Sequence, residues 1–329
     1  MFYKRLVALL FSFVLLMTFS ACSGNIPKNE EREILSGFSV HFLDVGQGDA
    51  IFIKLPDGKT ALIDCGEPTE QNEEYIKEFL NDYDVKTIDY FIITHPDTDH
   101  IGNAPSIINS FAVKELYLSD INENAYKYFD IYKEVVELAN KNQIRVRKSD
   151  NYKVINGEEY FFVFLTPEPK SFFDSSYVDV NGSLVPSKED VNNISPIIYF
   201  ECLGLRFILT GDAMASQERL ALENLSNPVL KSHYENSGAN INLYNVDFLK
   251  VAHHGAEGST CDEFLEVVRP KNAIISVGGD NNYGHPNTNV LTRLLNANPD
   301  ISLYRTDVDG TVSVCLDGNI ARVITDRSL

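Results

Sequence analysis

The chain has 329 residues, of which 44% are hydrophobic, so it is long enough to form a large globular domain with a substantial core. Its 28 basic and 47 acidic residues give a formal net charge of −19. This balance excludes a broadly basic nucleic-acid-binding surface, because phosphate contacts rely on Lys and Arg, so a nucleic-acid substrate would have to be held by metal ions or by a local basic patch.

The first 21 residues have the composition of a secretory signal peptide. Two basic residues precede an apolar run at positions 6–19, and two small residues then precede Cys22. The apolar run is short for a transmembrane span. The cysteine after Ser-Ala resembles the bacterial lipobox, in which that cysteine is acylated. We therefore expect a protein that is lipid-anchored through Cys22 on the extracellular face of a bacterial cell membrane.

Residues 22–37 are polar and charged and show no apolar period, which predicts a flexible tether. Residues 38–329 are then predicted to form one folded domain.

Strands dominate the folded part, and helices lie between them. Apolar runs predict strands in FSVHFLDVG, AIFIKLP, ALIDCG, TIDYFIIT, EEYFFVFLTP, SPIIYFECLGLRFILTGD, VDFLKVAHHG, NAIISVGG and GTVSVCLDGNIARVI. Helical spacing predicts helices over 72–84, 125–143, 216–225, 261–270 and 287–298. This order predicts an α/β fold in which two mixed sheets are covered by helices, without the βαβα rhythm of a Rossmann domain. The polar segment 167–193 is predicted to be a long surface loop that borders the site.

The stretch FIITHPDTDHIGN places His95, Asp97, Asp99 and His100 directly after an apolar strand. Imidazole nitrogens and carboxylate oxygens suit divalent metals such as Zn, Mn and Fe. Since only seven histidines occur in the whole chain, two of them in this short loop favour a metal site over a solvated acidic turn.

Other motifs repeat the pattern of a metal-binding side chain after an apolar strand. His253 and His254 lie in LKVAHHG, His285 lies in NNYGHP, and Asp212 lies in FILTGDA. Ligands collect at such strand ends in mixed sheets, and a carboxylate at this place can bridge two metals. The remaining histidines fall outside the pattern, and we expect His41 to be a packed strand residue and His233 to lie on the surface.

The motif HPDTDH resembles the HxHxDH signature of the metallo-β-lactamase superfamily, with Asp97 in place of the middle histidine. The order HxDxDH, TGD, HHG is similar to one branch of it, the soluble hydrolase domain of the DNA-uptake competence proteins of the ComEC family. The sequence also carries the motifs DVGQGDA (44–50), IDCG (63–66), NNIS (192–195) and SVGGDNNYGHP (276–286) of that branch, in order.

The resemblance implies an αββα sandwich of two mixed β-sheets flanked by helices, with a hydrolytic site between the sheets that holds two divalent metal ions, Zn or Mn. Asp97 makes this site richer in oxygen, which favours Mn. The implied ligands are His95, Asp97, Asp99, His100 and Asp212, and both His254 and His285 are candidates to complete the set. Asp99 would also orient the attacking water, and His253 or His254 would protonate the leaving group.

Further residues are expected to support the ligands from behind. They are Asp44, Gln47, Asp49, Asp64, Asn193, Ser195 and Lys250. We refer to residues 95–100 as the metal loop. Gly46 and Gly48 in DVGQGDA are expected to let the backbone approach this loop closely.

Three functions remain open from the sequence. The first is an extracellular metal-dependent phosphodiesterase or nuclease related to DNA uptake, for which a basic cluster at Lys141, Arg145, Arg147 and Lys148 could contact phosphates. The second is a hydrolase of choline-phosphate or another small ester at the cell surface, for which Tyr75, Tyr244 and Tyr283 could supply an aromatic cage. The third is a non-catalytic binding protein of the same fold. No stable protein partner is evident.

Overall fold

The computed structural model describes residues 37–174, 178, 182–184, 186–318 and 320–327. The predicted signal peptide, the lipidation site Cys22 and the tether up to residue 36 lie outside the described residues. Within the described ranges, no helix combines the length and the apolar character that crossing a membrane requires.

The first sheet has eight strands in the order β15-β14-β1-β2-β3-β4-β5-β6. Pairing is antiparallel from β15 to β3 and parallel from β3 to β6. The strands are β1 (Ser39–Phe42), β2 (Ile51–Lys54), β3 (Thr60–Ile63), β4 (Thr87–Ile92), β5 (Ala112–Leu118), β6 (Arg145–Lys148), β14 (Val312–Asp317) and β15 (Ile320–Thr325).

The second sheet has seven strands in the order β13-β12-β11-β10-β9-β8-β7. It is parallel from β13 to β10 and antiparallel from β10 to β7, so both sheets are mixed. The strands are β7 (Val154–Asn156), β8 (Tyr160–Phe164), β9 (Ile198–Cys202), β10 (Leu205–Leu209), β11 (Phe248–Lys250), β12 (Asn272–Ile275) and β13 (Ser302–Arg305).

Helices cover the outer faces of both sheets. The α-helices are α1 (Glu70–Asp82), α2 (Thr98–Ile101), α3 (Ala104–Ser110), α4 (Asp130–Lys141), α5 (Lys188–Asn192), α6 (Ala215–Ser226), α7 (Pro228–Asn236), α8 (Asp262–Val268), α9 (Thr288–Ala297) and α10 (Thr306–Asp309), and 3-10 turns span Glu123–Tyr128 and Ala252–Gly255. In α9, Asn287 caps the first turn by accepting from the Asn289 N–H, and Val290 and Leu294 form the buried stripe.

The helix predicted over 125–143 is divided in the structure. A 3-10 turn ends at Tyr128, and α4 begins only at Asp130, because Phe129 leaves the helical region with φ −136° and ψ 69°. Its ring packs against Phe173, with the centroids 5.5 Å apart. Tertiary packing of one aromatic residue therefore overrides the helical spacing of the segment.

The apolar residues form three layers, which is the αββα arrangement that the sequence predicts. The layer between the sheets contains stacked phenylalanines: the rings of Phe162 and Phe200 are 4.2 Å apart, and those of Phe207 and Phe248 are 4.9 Å apart. Each such buried side chain stabilises the fold by about 1.5–3 kcal/mol relative to exposure. The two outer layers join the helices to each sheet.

His41 is a packed residue inside β1, as the sequence predicts. It is fully buried, and its two ring nitrogens lie 2.8 Å from the hydroxyls of Ser39 and Ser313. Burial, with a smaller effect of Lys54, lowers the pKa of His41 from 6.5 to about 3, so the ring is neutral in the folded protein.

Candidate metal centre

The carboxyl ends of parallel strands in both sheets meet at one edge of the sandwich and carry the motifs there. Asp64 follows β3, and His95 and His100 lie in the loop and short helix after β4. From the second sheet, Asp212 follows β10 and His254 follows β11. The strands are buried apolar runs, so the first polar side chains beyond them reach into the space between the sheets.

Four side chains form the centre of the site. Asp99, His100, Asp212 and His254 offer ligand atoms that all lie within 4.8 Å of one another. His100 Nε2 is 3.2 Å from Asp212 Oδ1, and His254 Nε2 is 3.5 Å from Asp212 Oδ2. The same His254 atom is 3.4 Å from Asp99 Oδ2. Asp212 is therefore the residue around which the others converge.

His95 and Asp97 extend this cluster on one side. The His95 ring is 4.1 Å from the His100 ring, and His95 Nε2 is 3.8 Å from Asp97 Oδ2. His95 is buried, whereas the Asp97 side chain is 39% exposed and faces the open side of the site.

The three buried histidines present unpaired Nε2 atoms to one space. The Nδ1 atom of His100 lies 2.8 Å from Asp64 Oδ2, and the Nδ1 atom of His254 lies 2.8 Å from the Ser276 carbonyl. His95 Nδ1 lies 3.2 Å from the Ser195 hydroxyl. The Nε2 atoms of all three and Asp212 Oδ1 are buried without a hydrogen-bond partner. Such orphaned atoms are rare, and histidines held through one nitrogen with the other directed inward are typical of metal ligands, so the residues fit a divalent metal.

Opposite charges face one another in the cluster. Burial raises the pKa of Asp212, but His254 and His100 outweigh this and hold it well below its usual range. In the same way, burial lowers the pKa of His100, but Asp212, Asp64 and Asp99 together raise it well above its ordinary value. Burial and the neighbouring Asp99 raise the pKa of Asp97 to about 6. Carboxylates this close to one another favour a bound cation.

A buried ion pair lies behind the histidines. Lys250 Nζ is 2.7 Å from Asp49 Oδ2, and both side chains are almost inaccessible to solvent. The other oxygen of Asp49 lies 3.6 Å from His254 Nδ1. Lys250 thus holds the Asp49 carboxylate next to Nδ1 of His254, the ring nitrogen that points away from the predicted metal.

The glycine-rich loop after β1 packs directly against the metal loop, as the sequence predicts. The Asp49 N–H donates to the Asp99 carbonyl at 3.1 Å. A Cβ atom at Gly48 would come within 2.3 Å of that carbonyl oxygen, whereas one at Gly46 would meet nothing within 4 Å. Gly48 is therefore required by the close approach of two backbones.

The two histidines of the HHG motif diverge because both adopt the left-handed conformation, with φ of 49° for His253 and 54° for His254. Consecutive non-glycine residues in this region cost about 1–2 kcal/mol each, and such strain collects at functional sites. The turn sends His254 into the cluster. It leaves His253 24% exposed at the open side, with Nε2 3.6 Å from Asp212 Oδ2.

His285 lies outside the four-residue cluster. Its ring centroid is 5.6 Å from that of His253, and its Nδ1 atom has no hydrogen-bond partner. Of the two late histidines that the sequence leaves open, His254 is the one that reaches Asp99 and Asp212.

Of the residues predicted to support the ligands, Gln47 does so indirectly and Asp44 does not. The Gln47 side-chain oxygen accepts from the Gly278 N–H at 3.2 Å and so joins two loops of the site. Asp44 is turned away and pairs with Arg327 at 2.6 Å.

Asn192, rather than the predicted Asn193, contacts the site. The Asn192 amide nitrogen lies 3.4 Å from His253 Nε2. The Asn193 oxygen instead accepts from Ser216 at 2.9 Å. Neighbouring residues at the end of helix α5 point in different directions, and the sequence does not show which one faces the site.

Thr94 is a site residue that the sequence analysis missed. Its N–H and hydroxyl bind Asp64 at 2.8 and 2.7 Å, and its hydroxyl lies 3.1 Å from His95 Nδ1. Its position immediately before the HPDTDH motif was the available signal.

Three residues of the basic cluster lie on the exposed edge strand β6 and are paired with acidic residues, whereas Lys141 lies in the last turn of α4. Arg145 and Arg147 both bind Glu115, at 2.6 and 3.4 Å, and Lys148 binds Asp120 at 2.5 Å. These acidic partners offset the positive charge that phosphate contacts would need.

The three tyrosines do not form the predicted aromatic cage. Tyr75 donates or accepts a 2.6 Å hydrogen bond with Thr311 and lines a groove with Asp44. Tyr244 lines another groove, with Leu243, and only Tyr283 contacts a histidine of the site.

Comparison with known proteins identifies the same kind of fold. The family model described as the metallo-beta-lactamase superfamily matches residues 43–279. The chain is 29% identical over 288 residues to ComE operon protein 3 of Bacillus subtilis, covering 83% of this chain and 32% of that protein. It is 26% identical over 260 residues to Recombination protein 2 of Haemophilus influenzae, covering 78% of this chain and 26% of that protein. The chain thus spans a third or less of these relatives.

Solved structures are similar at lower identity. Igni18, a metallo hydrolase from Ignicoccus hospitalis, matches with a TM-score of 0.47 and 14% identity, covering 85% of this chain and 100% of that one. The metallo-beta-lactamase fold protein YhfI from Bacillus subtilis matches with a TM-score of 0.46 and 10% identity, covering 81% and 96%.

Proposed function

From the premise that this chain belongs to the metallo-β-lactamase superfamily, we propose that it is a metal-dependent phosphodiesterase that acts on nucleic acid. The superfamily consists in general of metal-dependent hydrolases, and the coarser assignment to a hydrolase of this fold follows from membership. The finer assignment, to phosphodiesters, is supported by the chemistry of the donor set and by the relatives named for a competence operon and for recombination.

One observation carries the proposal. The Nε2 atoms of His95, His100 and His254 and the Oδ1 atom of Asp212 are buried around one space and have no hydrogen-bond partner outside it. Histidines and carboxylates in this arrangement would hold two divalent ions, with His95, Asp97 and Asp212 on one side and Asp99, His100, Asp212 and His254 on the other.

The bound metals would supply a low-pKa water and positive charge against the anionic substrate. The chain's own residues would orient the attacking water and protonate the leaving group. Asp99, whose side chain remains 23% exposed, is placed to accept a hydrogen bond from the attacking water. His253 stands at the open side, with Nε2 3.6 Å from Asp212 Oδ2, and would protonate the departing oxygen.

A phosphodiester would depend on bound metal ions for its attraction to this site. An anionic diester needs local positive charge, and the chain carries a net charge of −19. The basic residues of β6 are already paired with Glu115 and Asp120. Metal ions held by the acidic cluster would therefore provide most of the attraction for phosphate.

A substrate comparison tests the proposal. Purified protein loaded with Mn or with Zn would be assayed on bis-p-nitrophenyl phosphate, a DNA oligonucleotide and p-nitrophenyl phosphorylcholine. We expect hydrolysis of the first two, stronger with Mn and abolished by chelation. Binding of the oligonucleotide without any hydrolysis would favour a non-catalytic binding protein. Turnover of p-nitrophenyl phosphorylcholine alone would favour a small-ester hydrolase.

We propose in addition that the protein is tethered to the outer face of the membrane through a lipid on Cys22. The support is the apolar run and the small residues that precede this cysteine. Replacement of Cys22 with Ala should release the protein into the medium or leave the precursor uncleaved. Unchanged processing and membrane retention would contradict the proposal.

A further inference from the structure

An exposed aromatic ring stands beside the metal centre. Tyr283 is 66% exposed, and its ring stacks on His285 with the centroids 5.6 Å apart and the planes 25° apart. The His285 ring lies 5.6 Å from that of His253, which in turn approaches Asp212 at 3.6 Å. A continuous line of rings therefore leads from the centre of the site to solvent.

The loop that carries this ring is rigidly held. The side-chain oxygen of Asn281 accepts from the N–H groups of Tyr283 and His285, at 3.2 and 3.0 Å. Its amide nitrogen donates to the carbonyls of Gly278 and His285, at 2.7 and 2.8 Å. Four hydrogen bonds to one side chain fix the loop before any ligand arrives, and such preorganisation favours binding.

We propose that Tyr283 and His285 form a stacking platform for an unpaired nucleobase of the substrate whose phosphate is held at the metal centre. The inference rests on the proposed phosphodiesterase function and adds a recognition element to it. Every base has a flat face that can stack on an aromatic ring, so such a platform tolerates different sequences. It also needs no basic groove, which suits an acidic chain.

The geometry favours a flat base over a quaternary ammonium group. Recognition of a choline-like cation uses aromatic faces on several sides of the charge. Tyr75 and Tyr244 line other grooves, and one face of Tyr283 is already covered by His285. What remains is a single flat face, and a planar ring can cover it.

Kinetics of matched variants test the platform. The substrates are a short oligothymidylate and an oligomer of the same length and charge without bases. In metal-loaded protein, Tyr283→Ala should raise KM for oligothymidylate by roughly 5- to 150-fold, the range of one lost base–aromatic stack. KM for the abasic oligomer should not change, and Tyr283→Phe, which keeps the flat face, should behave as wild type.

Tyr244→Ala is the matched control, because Tyr244 is also exposed, at 53%, but lines a different groove. It should leave both KM values unchanged. Equal losses on the two substrates in Tyr283→Ala would overturn the inference, and so would a loss confined to p-nitrophenyl phosphorylcholine.

A fluorescence measurement keeps the inference testable apart from turnover. The chain contains no Trp, so Tyr283→Trp introduces one reporter at the platform. On stopped-flow mixing, before turnover, oligothymidylate should quench this fluorescence and the abasic oligomer should not. Hydrolysis of bis-p-nitrophenyl phosphate without base-dependent quenching would overturn the platform alone. Quenching without hydrolysis of any diester would overturn the proposed function and leave the platform standing.

Discussion

Lys250 and Asp49 form an ion pair that is completely enclosed behind the histidines of the metal centre, with 2.7 Å between Nζ and Oδ2. Removal of one partner from such a pair leaves a buried charge without compensation. We therefore expect that loss of the ion pair lowers both the stability of the fold and the affinity of the site for metal.

We predict that Lys250→Met lowers the free energy of unfolding by about 3–5 kcal/mol. Lys271→Met is the matched control, because Lys271 pairs with Asp247 at the same distance but is 56% exposed. It should cost less than about 1 kcal/mol. Denaturant titration of both variants measures the difference, and equal losses would contradict an enclosed charge pair at Lys250.

His41 makes stability depend on pH at a point remote from the metal centre. Its folded pKa is about 3, compared with 6.5 for an unperturbed ring, so the unfolded chain binds this proton first as the pH falls. Stability is then independent of this residue above pH 6.5 and declines below it, by about 1.4 kcal/mol per pH unit.

We predict that His41→Phe removes this part of the acid sensitivity. Between about pH 5.5 and 4.5, the free energy of unfolding of the variant should fall less steeply than that of wild type, by nearly one proton per molecule or about 1.4 kcal/mol per pH unit. Denaturant unfolding at several pH values gives both slopes. Parallel slopes would mean that the folded protein accommodates a charged ring at this position.

At the scale of elements, the loop between β1 and β2 limits how the metal loop can move. Gly48 lies where a Cβ atom would come within 2.3 Å of the Asp99 carbonyl, whereas Gly46, also at positive φ, has open space around it. Substitution of the two glycines by Ala therefore distinguishes the cost of a positive φ, at Gly46, from the cost of steric overlap with Asp99, at Gly48.

Gly46→Ala should cost about 1 kcal/mol of stability, because only the positive φ is disfavoured. Gly48→Ala should cost about 2–4 kcal/mol and also weaken metal binding, because the clash displaces Asp99. Thermal unfolding and metal titration of both variants check this. If both lost the same stability and Gly48→Ala bound metal normally, the close approach would not matter for the site.

The sequence predicts the layered fold and the ends of the central strands because these are long apolar runs followed by polar motifs. Asp212 is predicted in this way, whereas His254 is one of the two late histidines that the sequence leaves open. Other features depend on tertiary contacts that no local pattern encodes. Phe129 breaks a helix by packing on Phe173, and Asn192, not the predicted Asn193, turns toward His253.

The basic cluster at Arg145 and Arg147 shows a second limit of sequence reasoning. Its positive charge is evident in the sequence, but its partner Glu115 lies 30 residues earlier, on the neighbouring strand β5. Cross-strand pairing of this kind requires the register of the sheet.

At the scale of the whole molecule, we expect a chain with a net charge of −19 to bind nucleic acid through few phosphate contacts and so with a weak dependence on salt. With about two phosphate contacts, the affinity for single-stranded DNA falls roughly five- to tenfold between 50 and 200 mM salt. We predict such a decline in kcat/KM for an oligonucleotide and almost none for bis-p-nitrophenyl phosphate. A thousandfold decline for the oligonucleotide would indicate many more phosphate contacts and would contradict this prediction.

The most direct test of the central claim, that the cluster around Asp212 binds catalytic metal, is to measure metal content and diester hydrolysis in the same samples of wild type and Asp212→Asn. The control is Glu263→Gln, which changes an exposed carboxylate that pairs with Arg219. Wild type and the control should each hold about two divalent ions and hydrolyse bis-p-nitrophenyl phosphate. Asp212→Asn should lose at least one ion and at least about a hundredfold in rate. Full activity of Asp212→Asn, or of chelated wild type, would contradict the account.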